Sequence, residues 1–406
     1  MQHRIIVLGA GYTGASAAGR LAKRLHREDV TITLVNAEPD FVERVRMHQL
    51  AVGQDLKPRP FSEMFAGTGV ELKQGSVTAI DVDRHTVSVV DALDSQANGT
   101  RQNGTVELPY DTLVYALGSA WNSHGVPGTA EHAHQIASRP GALRLRERLG
   151  RLTAGETVVV VGGGLTGIEA ATEIAEARPD LDVALATHGE LGDWLSAKGR
   201  RHLRKVFGKL GITAHENTPV TGVGADHVTD ADGTSIPAAV TVWTTGFAVH
   251  PIAAATALEV GDSGRIVVDE AMRSVSHPDV YAIGDAALVM GPGDKPLRMS
   301  CASGVPTSWQ AADTVAALLT GGKLPKTPIR YFNQCISLGR KEGLIQYVTA
   351  DDRSVNAALT GRFAAFYKEL VCKGAAWGVA NPTFGMPGRR RRVTATGVPD
   401  RAPASA

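Results

Sequence analysis

An α/β fold with two separate nucleotide-cradling units is what the sequence predicts, on two observations. The first is a short apolar run, Ile5 to Leu8, that leads without a break into Gly9-Ala10-Gly11-Tyr12-Thr13-Gly14. The second is a repeat of that device, in which the β-branched run Thr157 to Val161 leads into Gly162-Gly163-Gly164-Leu165-Thr166-Gly167. In such a turn the first glycine bends the chain, the second lets backbone approach a pyrophosphate, and the third lets helix pack on strand. One G-x-G-x-x-G carries little weight, but here each copy has the strand, helix and second strand that the unit requires. The helices are expected at Ala15 to His26 and Ile168 to Ala177, and the second strands at Val30 to Val35 and Asp182 to Ala186.

Two cradles imply two dinucleotides, and a flavin with a nicotinamide is the simplest pair. The expected architecture is two Rossmann-like domains and a small C-terminal α+β region. An FAD-binding domain (1–122 and 248–325) is interrupted by an NAD(P)H-binding domain (123–247). Residues 326–388 form a capping or interface region, and 389–406 a basic tail read as disordered.

Composition narrows the partners. A chain of 406 residues suits two or three domains. A net charge of +1 leaves no basic excess to neutralise phosphates, which argues against nucleic acid. Cys301, Cys335 and Cys372 lie far apart and form no C-x-x-C pair, so they read as buried thiols in a reducing compartment, and no metal site is expected. Met1 to Arg4 runs directly into the first strand, and no apolar run approaches the ~20 residues of a membrane span. A cytoplasmic protein is therefore expected, peripheral at most on the inner face of the membrane.

Along the chain, Asn36 stands where an acid commonly holds ribose hydroxyls, with Glu38 two residues on. In the basic stretch Phe41 to Gln54, Arg44 and Arg46 are candidates for the pyrophosphate, and His48 and Gln49 for the ring. Val70 to Val90 alternates as short strands. Asp91 to Thr105 is a polar hairpin tip with two acceptor-like triplets, at Asn98 and Asn103. Tyr110 to Ser119 and Val240 to Phe247 are buried strands ending in small residues, so each half carries two matching landmarks in one order. Glu169 sits just past the second glycine turn, where a carboxylate can accept from a carboxamide or complement the helix dipole. The second strand of this unit ends Ala186-Thr187-His188-Gly189, without an acid, and Lys198, Arg200, Arg201, Arg204 and Lys205 follow on a helix. Val280 to Ala286 delivers Asp285 beside Gly284. A helix from Gly304 to Leu319, a hairpin from Phe332 to Tyr347 and an amphipathic helix from Thr360 to Lys373 complete the chain.

Together, Gly9 to Gly14, Tyr110 to Ser119, Gly162 to Glu169, Val240 to Phe247 and Tyr281 to Ala286 resemble the two-dinucleotide-binding-domain flavoproteins, which include the pyridine nucleotide-disulfide oxidoreductases. With no cysteine pair after Asn36, the chain looks most like type II NADH dehydrogenases and apoptosis-inducing-factor-like reductases. The resemblance implies that Gly9, Gly11, Gly14 and Asn36 hold the FAD diphosphate and ribose, that Val77 contacts adenine, that Gly118 and Gly284 line the cofactor, and that Asp285 hydrogen-bonds its ribityl chain. It implies Gly162, Gly164, Gly167, Glu169 and Gly246 for NADH or NADPH. Three positions depart from the pattern: Leu117 replaces a threonine, the nicotinamide ribose acid is missing, and Pro306 to Ala312 lacks paired glutamines.

The expected activity is hydride transfer from NAD(P)H to flavin, then electron transfer to a small-molecule acceptor, with a quinone favoured. No catalytic side chain is named. A ferredoxin-type or biosynthetic reductase, and a redox-sensing flavoprotein of little turnover, are the alternatives. The C-terminal helix, with Phe363, Phe366, Tyr367 and Leu370 on one face, is a candidate for membrane contact or for a homodimer.

Overall fold

The run Ile5 to Leu8 becomes a central strand because every one of its side chains is buried, and a strand apolar on both faces needs cover on both. The computed structural model describes residues 2–91, 104–326, 329–381 and 389–394. Among these, a seven-stranded sheet has the order Val280–Ala282, Thr112–Tyr115, His3–Leu8, Val30–Asn36, Val70–Asp81, Thr86–Asp91 and Thr105–Pro109. The first five strands run parallel and the last two pairings are antiparallel. Helices Tyr12–Arg24 and Cys301–Leu319 pack together on this sheet, tied by Arg20 to Asp313 at 2.6 Å.

The second glycine turn opens a separate, all-parallel sheet of five strands, ordered Thr213–His215, Asp182–Ala186, Thr157–Val161, Val240–Trp243 and Ala133–His134. The chain crosses between the two sheets twice. Those crossings, Ser119–Trp121 and Phe247–Val249, pair as an antiparallel ribbon. A three-stranded antiparallel sheet (Asn333–Ser337, Gly343–Val348, Ser354–Thr360) and the helix Arg362–Ala380 pack across both units.

Several elements differ from the sequence expectation. The two nucleotide helices start at Tyr12 and Leu165, earlier than expected, because the last glycine of each turn already belongs to its helix. Val70–Asp81 is one strand of 12 residues that leaves the parallel sheet to pair with the six-residue strand Thr86–Asp91, so one long strand stands where several short ones were expected. The acceptor-like triplets at Asn98 and Asn103 lie outside the described residues.

The basic tail is the clearest correction. Residues 389–394 are docked: Arg391 N donates to Arg24 O and its own carbonyl accepts from His26 N. Arg392 reaches Glu28 at 2.8 Å and Asp29 at 2.9 Å, and Arg390 donates to Ala22 O. The first nucleotide helix ends here, exposing unpaired carbonyls that favour cations, and two acids follow it. A charge run reads as solvated only until the partner surface is known.

Candidate functional site

The two glycine turns superpose in detail. Gly9 (φ +88°) and Gly162 (φ +121°) take left-handed conformations that turn the chain. A Cβ on Gly14 would sit on the carbonyl oxygen of Gly9, and one on Gly167 on that of Gly162, so neither helix could approach its strand with a larger residue. At the middle glycines the opposite holds. A Cβ on Gly11 or Gly164 would meet nothing within 4 Å. Both residues are helix N-caps without a side-chain cap, and their helices carry no acid in the first turn. Each leaves free N–H groups facing open space, which suits a diphosphate.

Around the first turn, Asn36 is committed to the protein. Its oxygen accepts from Ala10 N at 2.9 Å and its amide donates to Glu38 O at 2.8 Å, so it braces the turn on which a ribose would rest. Asp285 accepts from the Ser119 hydroxyl at 2.6 Å, and Arg44 lies 3.6 Å from the same carboxylate oxygen, its guanidinium 4.8 Å from the Phe247 ring centre. One terminal nitrogen of Arg44 is buried without a hydrogen-bond partner, and burial lowers its pKa. An arginine that keeps one buried nitrogen without a partner has room for a second anion, so Arg44 together with the empty space above Gly11 and Gly118 fits an anionic cofactor. Gly284 (φ +67°) lies against Thr13, holding Asp285 beside the turn. Val77 packs half-buried opposite Val89 on the long strand.

Arg46 does not join this group. It is 7% exposed and held by Glu43 at 3.1 Å, Glu369 at 3.0 Å and the Gln49 side chain at 3.1 Å. Its alternation with Arg44 along a basic stretch suggested a shared role, but the short 3₁₀ turn at 44–46 sends the two side chains in different directions.

In the second unit, Thr244 donates its hydroxyl to Val161 O at 2.8 Å, and Gly246 (φ +147°) lies under the His124 ring. Glu169 departs from the sequence expectation. It is 5% exposed and faces the C-terminal region: one carboxylate oxygen accepts from Ser337 N at 2.9 Å and from Lys368 Nζ at 3.0 Å, and the other lies 3.8 Å from His48 Nδ1. Lys368 also donates to Cys335 O at 2.9 Å. A buried cluster thus joins the second helix, the short helix Met47–Ala51 and the C-terminal helix.

Burial sets the protonation of this cluster. It pushes His48 down to about 4 against the pull of Glu169. Burial alone would lower Lys368, yet Glu169 beside it holds the ammonium above its ordinary value. One turn along, Glu173 is pushed by burial up to about 7 against Arg340, and its carboxylate accepts from Gln54. All three cysteines are free thiols, raised by burial and sensing the Lys368 charge, although they lie far apart in the chain. Sequence reasoning missed Lys368, Ser337 and Glu173. The signal available was Glu169, Glu173 and Glu176 at helical spacing on an otherwise apolar helix, which requires cations opposite. Among the described residues no cluster of His, Cys, Asp and Glu is arranged to hold a metal.

The fold and the paired cradles define a class, and the comparisons agree: the chain belongs to the pyridine nucleotide-disulphide oxidoreductase family, whose pattern it matches over residues 3–316. It is an oxidoreductase with FAD as resident cofactor and NADH or NADPH as co-substrate. Among particular proteins it is similar to the type II NADH:quinone oxidoreductase NdhA of Mycobacterium tuberculosis, 28% identical over 379 residues, covering 82% of this chain and 76% of that one. It is 25% identical to the demethylphylloquinone reductase NdbB of Synechocystis sp. over 90% of this chain and 92% of that one. In fold it is similar to NDH2 of Plasmodium falciparum in complex with NADH, with TM-score 0.77, 14% identity, and coverage of 96% of this chain and 100% of that one.

Proposed function

We propose that this flavoenzyme oxidises NAD(P)H and passes the electrons to a quinone at a membrane surface. The observation that carries the reading is the buried Glu169–Lys368–His48 cluster, closed on its outer side by a helix that exposes Phe363, Phe366, Leu370 and Trp377. Relatives named for quinone reduction support the same acceptor. When bound, FAD supplies the two-electron relay between a nicotinamide and an acceptor.

The protein's own part is binding and orientation. The free N–H groups after Gly11 and the unpaired nitrogen of Arg44 hold the diphosphate. Gly118, Gly284 and Asp285 line the cofactor beyond it, with Asp285 oriented by Ser119 and Arg44. The turn after Gly164 holds the visiting nucleotide, and Gly246 lets it approach closely. Lys368, held charged by Glu169, fixes one positive charge on the inner side of the C-terminal helix. The apolar stripe on the C-terminal helix rests on lipid, as an amphipathic helix does at an interface. Among the described residues no helix is long and apolar enough to cross a membrane.

Anaerobic addition of NADH or NADPH should bleach the visible flavin absorbance, and a short-chain naphthoquinone should restore it over many turnovers. A flavin that bleaches but is reoxidised by ferredoxin alone would replace the quinone. Flotation with anionic vesicles should require Phe363, Phe366 and Leu370.

A further inference from the structure

The second cradle can be placed in register with the first by hydrogen bonding alone. Gly9 N donates to Val35 O at 2.8 Å, and Gly162 N donates to Ala186 O at 2.9 Å. Val35 therefore corresponds to Ala186, and Asn36 to Thr187. The side chains agree: Asn36 reaches the backbone of Ala10, and the Thr187 hydroxyl occupies the space that a Cβ on Gly163 would fill. Thr187, 7% exposed, thus stands at the strand end where an acid would grip a 2′-hydroxyl and repel a 2′-phosphate.

The surroundings of Thr187 are balanced or basic. Its backbone is fixed, with Thr187 N donating to His215 O and Thr218 N donating to Thr187 O, so the corner is rigid. The acids that flank it are answered by arginines. Glu190 pairs with Arg200 at 2.8 Å, and Glu216, which also accepts from Leu191 N, pairs with Arg204 through a second contact at 3.1 Å. His188 next to Thr187 is exposed, as are Lys198, Arg201 and Lys205 on the helix Ala197–Leu210. Asp193, whose carboxylate lies against Gly189, is the acid of this loop that no cation engages among the described residues, and it is exposed and screened.

We infer that the site accepts the 2′-phosphate, so that NADPH serves as electron donor alongside NADH, with Thr187 as the residue that sets this tolerance. This rests on the second cradle being the nicotinamide site.

The test is calorimetric binding of NAD⁺ and NADP⁺ to the FAD-loaded protein, with 2′,5′-ADP and 5′-ADP as fragment probes. NADP⁺ is expected to bind within tenfold of NAD⁺, and 2′,5′-ADP at least as tightly as 5′-ADP. Thr187→Asp should weaken NADP⁺ by tenfold or more while changing NAD⁺ less than threefold, and Asp193→Asn should shift the ratio modestly toward NADP⁺. NADP⁺ binding more than tenfold weaker than NAD⁺ in the unmodified protein overturns the inference. A Thr187→Asp protein that keeps its yellow flavin and its NADP⁺ affinity removes Thr187 from the role. If neither nucleotide binds while FAD stays bound, the nicotinamide site itself is misplaced, and that failure is distinct from a strong preference for NAD⁺.

Discussion

The two glycine cradles share one backbone design and differ in what surrounds it. The first lies inside a seven-stranded sheet, is braced by Asn36, is flanked by the half-buried pair of Arg44 and Asp285, and is backed by the helix Cys301–Leu319. The second has Thr187 in place of Asn36, solvent-facing acids at Glu190 and Glu216 each paired with an arginine, and a floor contributed by the C-terminal region. A site whose arginine keeps a buried nitrogen without a partner is incomplete until an anion fills it, which suits a resident cofactor. A site whose charges are already answered suits a molecule that arrives and leaves.

The sharpest way to break this comparison is at the middle glycines. Both have extended backbone that any residue adopts, and a Cβ at either meets no protein atom within 4 Å. Gly11→Val should therefore fold, with a thermal transition close to that of the flavin-free parent, yet purify colourless, its FAD affinity reduced at least about a hundredfold (over ~2.7 kcal/mol). Gly164→Val should stay yellow and lose nucleotide-driven bleaching to a similar degree. If Gly164→Val is colourless, the two roles are reversed.

Next in size is the floor of the second cradle. Lys368→Met strands the Glu169 carboxylate without its cation, which should cost about 3–5 kcal/mol of unfolding free energy in urea melts. Adding Glu169→Gln removes the stranded charge and should recover much of that loss. Equal destabilisation in the single and double variants would mean that packing, and not charge, dominates there.

A smaller effect separates two buried groups by the sign of their pH dependence. His48, held near 4 against an ordinary 6.5, contributes stability present above pH 6.5 and lost as pH falls toward 4. Glu173, held near 7 against an ordinary 4.5, contributes stability present below pH 4.5 and lost as pH rises toward 7. Between pH 5 and 7 the two slopes oppose each other. Glu173→Gln should leave a protein that loses about 2 kcal/mol on going from pH 7 to 5, and His48→Gln one that loses a similar amount on going from 5 to 7. Parallel slopes in the two variants would contradict the assignment. The smallest change expected is at the docked tail: Arg392→Ala should cost less than about 1 kcal/mol, because its pairs with Glu28 and Asp29 are exposed.

The parts legible in the sequence were local. Strand, glycine turn and helix are contiguous, so the reasons for Gly9, Gly14, Gly162 and Gly167 can be read from neighbours a few residues apart. Arg44 was legible as a candidate, but not its difference from Arg46, which depends on Glu369 more than 300 residues away. Glu169 was found for its place on a helix turn, and its partners Ser337 and Lys368 come from a region that sequence spacing cannot bring near.

The sequence by itself determined that there would be two cradles, because each is a short-range device written in consecutive residues whose backbone needs leave few alternatives. Only the tertiary structure decided what faces each cradle. The cation beneath Glu169 and the docking of the arginine run both arise from charges meeting across long chain separations. Such meetings are selected by packing and by the cost of burying an unanswered charge, and no periodicity in the chain records them.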